Sequence, residues 1–190
     1  MNKTELREYS LEKRLAITDS QRSRLDDLLL IRFQQWVIPD IVETILSYWP
    51  MKEKGEVNTF LITDFMAFRI PGMQLAYPVC DFKSNSLIAV GVTNETAFRQ
   101  NKFGIGEPVD GVLFPAEYID LVIVPLLAFD YKGYRLGYGK GFYDRYLSGC
   151  RPDTIKLGFS YFGPVDQLPG LDQYDIPLTA CITPERIYEF

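Results

Sequence analysis

The chain has 190 residues, 47% hydrophobic and 24% charged, with a formal net charge of −5; that length suits one domain with a sizeable core, and the acidic balance opposes general nucleic-acid binding, which calls for a basic surface. No apolar run approaches the ~20 residues that span a bilayer, and the opening MNKTELREYSLEKR lacks the apolar centre of a signal peptide. Histidine is absent, which removes Ser-His-Asp and Cys-His nucleophile systems, HExxH metal sites and any imidazole base.

In chain order, residues 2–16 predict a helix with Leu6, Leu11 and Leu15 apolar among charges. A second helix follows Thr18, which pairs with Gln21 in capping-box spacing. Its apolar positions are Leu25, Leu28, Leu29 and Phe33. ETILSYWP (Glu43–Pro50) predicts a short strand ending in a proline-led loop, Thr59–Phe68 a helix, and MQLAYPV, after Pro71-Gly72, another strand. SLIAVGV (Ser86–Val92) and YIDLVIVP (Tyr118–Pro125) predict strands, the second a β-branched and leucine run suited to burial on both faces. GFYDRYL would open a helix and TIKLGFS (Thr154–Ser160) the next strand, with Lys52–Gly55 and Phe162–Asp175 as irregular regions. This alternation predicts an α/β fold: one open, mostly parallel sheet with helices on both faces, three-layer α/β/α and Rossmann-like, over 1–190 as a single domain.

Without histidine, chemistry must rest on carboxylates, Lys, Arg, Tyr, backbone amides or a hard metal held through oxygen. Cys80, Cys150 and Cys181 are scattered and form no CxxC pair, which opposes a disulfide framework or a sulfur-based zinc site. They read as small buried apolar residues, and the expectation is a cytoplasmic monomer with neither nucleic-acid nor membrane partners.

RLGYGKGFYDRY (Arg135–Tyr146) is the stretch with the most chemistry in it. It follows the strand-like DLVIVPLLAFD (Asp120–Asp130) and precedes a helix, where ligands of open α/β sheets bind. Its glycines let backbone amides approach a phosphate, and a helix N-terminus adds partial positive charge. Arg135, Lys140 and Arg145 add cationic donors, and Asp144 a carboxylate able to hold Mg²⁺ beside nucleotide phosphates. Neither standard loop fits: Gly139-Lys140 is followed by Gly141 and preceded five positions earlier by Tyr134, unlike a Walker loop, and GxGxxG fails at Phe142. Taken alone, the stretch suits either an anion site or a tight connection.

Pro125–Leu147, PLLAFDYKGYRLGYGKGFYDRYL, closely resembles the signature of the 5-formyltetrahydrofolate cyclo-ligase family, P-G-V/L-A/G-F-D-x-x-G-x-R-L-G-x-G-x-G-Y/F-Y-D, except at Leu126 where glycine is usual. The likeness runs in order along the chain: Lys3-Thr-Glu-Leu-Arg7, Glu56-Val-Asn-Thr59, Gly104-Ile-Gly-Glu-Pro108 and Tyr174-Asp175-Ile-Pro-Leu are similar to further family elements. Tyr174 stands where histidine is commoner, and Thr179 where a second aspartate is usual.

The resemblance implies an ATP-dependent carbon–nitrogen cyclo-ligase that converts 5-formyltetrahydrofolate to 5,10-methenyltetrahydrofolate and releases ADP and phosphate. The formyl oxygen would attack the γ-phosphate, and the neighbouring folate amine would close the ring on the resulting imine-phosphate. Both reacting nitrogens belong to the substrate, so the protein need supply no nucleophile. By the same resemblance Lys3, Arg7, Arg135, Leu136, Gly137, Tyr138, Gly139, Lys140, Gly141, Phe142 and Tyr143 would bind ATP, with Arg135 and Lys140 catalytic. Met51, Glu56, Tyr138, Gly139, Lys140, Gly141 and Phe142 would bind the folate, and Asp144 and Asp175 would hold Mg²⁺. The rival functions are a noncatalytic folate- or nucleotide-binding member of the same superfamily and another enzyme of related architecture, such as a sugar-phosphate isomerase or CoA-transferase-like protein.

Overall fold

The computed structural model describes residues 1–39 and 41–190. Helices α1 (Lys3–Leu15) and α2 (Asp19–Phe33) open the chain. Each begins with a complete capping box: Asn2 with Glu5 for α1, and Thr18 with Gln21 for α2, as their spacing requires. The apolar positions expected along α1 hold only in part. Leu6 is buried, but its companions on the inner face are Ser10 and Arg14, while Leu15 is exposed. The reason is that α1 docks away from the main sheet, with Leu6 on Leu136 and Leu168 and with Arg7 and Arg14 on backbone carbonyls. On α2, Leu29 and Phe33 are fully buried, whereas Leu28 points outward.

The rest of the chain alternates strands and helices. In order come β1 (Thr44–Leu46), a 3-10 turn at Lys52–Lys54, α3 (Thr59–Arg69), β2 (Gln74–Asp81), β3 (Ser86–Val92), β4 (Phe98–Gln100), β5 (Gly106–Pro108) and β6 (Val112–Phe114). There follow β7 (Leu121–Val124), β8 (Ala128–Phe129), β9 (Arg135–Leu136), α4 (Phe142–Leu147), β10 (Ile155–Phe159), β11 (Ala180–Ile182) and β12 (Ile187–Glu189). The main sheet has eight strands in the order β12-β11-β10-β7-β1-β2-β3-β6. Its five central strands, β11 to β2, run parallel, and β12, β3 and β6 are antiparallel additions at its two ends. The connection from β2 to β3 is too short for a crossover, so that pair can only be a hairpin. Asn85 takes a left-handed φ of 52° to close it.

Strand β7 is the spine of the core. Its residues alternate between two apolar layers, and all four are fully buried. Leu121 and Ile123 pack with Leu29 and Phe33 of α2 and Ile62 and Met66 of α3. Val122 and Val124 face the other side, with Leu46, Ala76 and the Tyr146 and Leu147 side chains of α4. The fold is thus the three-layer α/β/α arrangement expected. Among the described residues no helix is long and apolar enough to cross a membrane.

This topology also locates a crevice. From β1 the chain crosses through α3 to β2 on one side, and from β7 through α4 to β10 on the other. Right-handed crossovers in opposite directions put α3 and α4 on opposite faces, and the loops leaving adjacent β1 and β7 therefore diverge. Ligands of open α/β sheets bind at such a switch point.

One expectation needs correction. DLVIVPLLAFD is not a continuous strand leading into the glycine stretch. β7 ends at Val124, before Pro125, and Ala128–Phe129 then pairs antiparallel with Arg135–Leu136. The turn between them is organised by Asp130, whose buried carboxylate accepts the Lys132 and Tyr134 N–H groups at 2.9 and 3.1 Å and the Leu168 N–H at 3.1 Å. Arg135 consequently projects from a rigid hairpin rather than from a loop.

Candidate active site

Three segments converge at the switch point: the loop after β1, the stretch after β9, and α1 laid across both. Lys3, Arg7, Ser10 and Arg14 follow an i, i+4, i+7, i+11 spacing, which places them along one helical face. Arg7 Nε donates to the Gly137 carbonyl at 3.0 Å. Gly139 lies against the same guanidinium at a φ of +86°, a left-handed conformation that calls for glycine. Leu6 packs with Leu136 and Leu168, seating the helix.

On the side of the β1 loop stands Glu56, 5% exposed. Its Oε2 accepts the Met51 N–H at 2.8 Å and its Oε1 accepts the Tyr138 hydroxyl at 2.7 Å. Burial pushes the Glu56 carboxyl up from the ordinary range, against the pull of these hydrogen bonds and of nearby Arg14 and Lys54. Burial likewise pushes the Tyr138 phenol up, helped by the Glu56 charge beside it. Asn58 caps α3 by accepting from the Phe60 N–H at 3.3 Å, so the carboxylate just before this helix is free of capping duty.

On the side of the glycine stretch, Arg135 is 9% exposed and its Nη2 pairs with Asp144 Oδ1 at 2.9 Å. It also donates to the Ile176 carbonyl, while the Ile176 N–H returns a bond to Asp144 Oδ1 at 3.2 Å. Burial lowers the Arg135 pKa, and Asp144, then Asp175, work to raise it. Asp175 in turn pairs with Lys3 at 3.2 Å and accepts the Asp172 N–H at 2.8 Å. The structure thus brings Lys3, Arg135, Asp144 and Asp175 into one charged cluster. Lys140 is exposed.

Several expected roles change at the level of atoms. Leu136 turns its side chain into the core with Leu6, and its carbonyl accepts the Leu127 N–H at 2.7 Å, so neither is open to ATP. Tyr143 packs against the core on the α4 face. Arg145 leaves the expected anion site: it donates to the Asn85 carbonyl at 2.7 Å and to the Lys140 carbonyl, tying the glycine stretch to the β2–β3 hairpin. Thr179 accepts the Lys156 N–H at 3.1 Å and so serves the sheet. The three cysteines are free, and burial raises the Cys80 and Cys150 thiols to about 12 and about 11, which leaves them inert as nucleophiles.

Sequence reasoning missed the wall behind the Met51–Glu56 loop. Trp49 packs between Phe98, at 4.6 Å, and Phe60, at 5.0 Å between ring centroids. A Cβ on Gly106 would meet the Trp49 ring at 2.6 Å, so this glycine is the fit of the β4–β5 hairpin against the indole. Glu107 holds the hairpin down by accepting from the Cys80 N–H and from Asn101 Nδ2, each at 2.9 Å. The element GIGEP is explained by this packing. Arg14 was missed as well, although the basic face of α1 is a signal that could have found it.

The family model described as 5-formyltetrahydrofolate cyclo-ligase family matches residues 1–184. A 5-formyltetrahydrofolate cyclo-ligase of Mycoplasma pneumoniae is 31% identical over 187 residues, covering 97% of this chain and 100% of that protein. The Escherichia coli K12 protein of the same name is 29% identical, covering 94% and 98%. Among solved structures, 5,10-methenyltetrahydrofolate synthetase of Aquifex aeolicus superposes with a TM-score of 0.82 at 30% identity, covering 100% of this chain and 93% of that one. With that match along almost its full length, the chain belongs to the 5-formyltetrahydrofolate cyclo-ligase family.

Proposed function

We propose that this protein catalyses the ATP-dependent cyclisation of 5-formyltetrahydrofolate to 5,10-methenyltetrahydrofolate, with release of ADP and phosphate. Beyond family membership, one observation carries the reading: the 2.7 Å hydrogen bond from Tyr138 to Glu56. It joins the loop suited to a pterin to the stretch suited to a nucleotide. A buried carboxylate is a fitting acceptor for the pterin's N–H groups, and Met51 lies beside it. Lys3, Arg7, Arg135 and Lys140 would contact ATP through their cations, and Gly137, Gly139 and Gly141 through their backbone.

The formyl oxygen then attacks the γ-phosphorus, the bond to the β-phosphate oxygen breaks, and ADP leaves. The folate N10 adds to the activated formyl carbon, loses its proton, and expels phosphate. In phosphoryl transfer the protein's part is positioning and charge stabilisation. Arg135 and Lys140 would stabilise charge developing on the transferred group, and Glu56 would hold the pterin. The same reading treats residues 1–190 as one catalytic domain, acting as a cytoplasmic monomer.

A Mg²⁺ ion bound with ATP would neutralise phosphate charge. Asp144 and Asp175 would fill that role through the carboxylate oxygens not already bonded to Arg135 and Lys3. Both carboxylates act on Arg135, and among the described residues no group of three or more His, Cys, Asp or Glu side chains forms a metal cage. Two carboxylates suit an ion that brings waters and phosphate oxygens with it. Asp144→Ala is expected to lower kcat/KM for ATP by about 10- to 100-fold, measured over a Mg²⁺ titration. Full activity in that variant would remove Asp144 as a ligand.

The function itself is tested by mixing purified protein with 5-formyltetrahydrofolate, Mg²⁺ and ATP and following the methenyl product by absorbance. Product should form only when ATP is present. Binding of both ligands without product would instead establish a noncatalytic binding protein.

A further inference from the structure

Arg14 is buried, 6% exposed, and lies outside every motif that marks the site. It makes three hydrogen bonds to three different segments. Nε donates to the Lys54 carbonyl at 2.8 Å, in the turn that leads into Glu56. Nη1 donates to the Leu126 carbonyl at 3.0 Å, just beyond β7. Nη2 donates to the Tyr138 hydroxyl, which itself donates to Glu56. A guanidinium holds its donors in one rigid plane, so meeting all three acceptors fixes where the segments lie relative to one another. Leu6 seats the first turns of α1 on Leu136 and Leu168, whereas at Arg14 the contacts to these three segments are polar.

We infer that Arg14 is the positioning residue that sets the loop carrying Glu56 in register with the glycine stretch, so that a formyl oxygen held on one side meets a γ-phosphorus held on the other. The inference rests on the cyclisation reading above. Arg14 acts through two carbonyls and the Tyr138 hydroxyl. Each substrate keeps its own binding groups without it, but their mutual alignment is lost. A misplacement of about 1 Å can cost about 10²-fold in rate.

Arg14 has an electrostatic effect too. Glu56 faces Arg14 from α1, Lys54 from its own loop, Tyr48 after β1, and Tyr138 and Tyr143 from the glycine stretch, while Tyr161 after β10 approaches its backbone carbonyl at 3.4 Å. Arg14 and Lys54 are the cations of this set and favour the ionised carboxylate. Removing the Arg14 charge therefore raises the pH at which Glu56 becomes available for the pterin.

Two variants separate geometry from charge, both compared with wild-type protein and normalised to folded fraction by circular dichroism and urea unfolding. Arg14→Lys keeps the charge and loses the planar fork. Its kcat should fall about 10²-fold while KM for each substrate stays within about threefold, and the acid limb of the folate kcat/KM profile should not move. Arg14→Met loses both, so its kcat should fall at least as far and its acid limb should move to higher pH. A kcat within about twofold of wild type in Arg14→Lys, a loss confined to KM, or a loss that vanishes after normalisation overturns the inference. An inactive wild-type protein refutes the cyclisation reading and this inference with it; an active wild type beside an unaffected Arg14→Lys refutes the inference alone.

Discussion

Arg135→Ala is expected to lower kcat by about 10²–10³-fold, the usual cost of deleting one preorganised donor at a developing anion. The expectation follows from how Arg135 is held. It leaves β9 of a hairpin whose turn is locked by Asp130, and Asp144 and the Ile176 carbonyl fix its guanidinium from two sides. Under the proposed reaction, a guanidinium held this way would meet charge on the transferred group without reorganising. Arg135→Lys should be nearly as inactive, because an ammonium cannot serve two fixed acceptors and a phosphoryl oxygen with the same planar geometry. Single-turnover formation of the methenyl product reads the effect, with circular dichroism confirming that the variant is folded. Near-normal turnover in folded Arg135→Ala would show that charge on the phosphoryl group is met elsewhere.

Glu56→Gln is expected to separate recognition from stability. A hydrogen bond to a charged group is worth about 1.5–3 kcal/mol, so KM for the folate should rise about 10- to 150-fold with little change in KM for ATP. Stability should move the other way. Burial raises the Glu56 pKa above its ordinary value of 4.5, so the folded protein binds this proton more tightly than the unfolded chain. Folding free energy therefore declines as pH climbs from the unfolded value through the folded one. Glutamine has no such proton to lose. The variant should match the parent in acid, where both side chains are neutral, and exceed it in Tm near pH 7. Equal Tm values at neutral pH would mean that the Met51 and Tyr138 hydrogen bonds fully offset the burial of the charge.

Much of this architecture is legible in the sequence because local signals agree with the fold. The Thr18 and Gln21 box and the apolar Leu121–Val124 run each have one physical outcome, and both take it. The short strands β4, β5, β8 and β9 escape such reading because two or three residues carry no periodicity. Their partners are set by tertiary contacts instead: Gly106 against Trp49, Glu107 on the Cys80 N–H, and Asp130 on its own turn. At the site, the glycine stretch and Glu56 emerge from the family resemblance, and the structure places them within one hydrogen bond of each other. Arg14 shows what motifs leave out. Its importance lies in acceptors 40 and 112 residues away in sequence, which helical spacing can hint at but cannot identify. Arg145 shows the converse: its charge suits a phosphate, yet in the fold it is committed to backbone carbonyls.

The central claim is that the switch point brings a formyl oxygen to the γ-phosphorus. An isotope experiment tests this most directly: 5-formyltetrahydrofolate labelled with ¹⁸O in the formyl group is turned over with unlabelled ATP in unlabelled water, and the released phosphate is analysed by mass. Because the formyl oxygen becomes the bridging atom and departs with phosphorus, the account predicts one ¹⁸O in each phosphate released. Unlabelled phosphate, formed in step with the methenyl product, would contradict it.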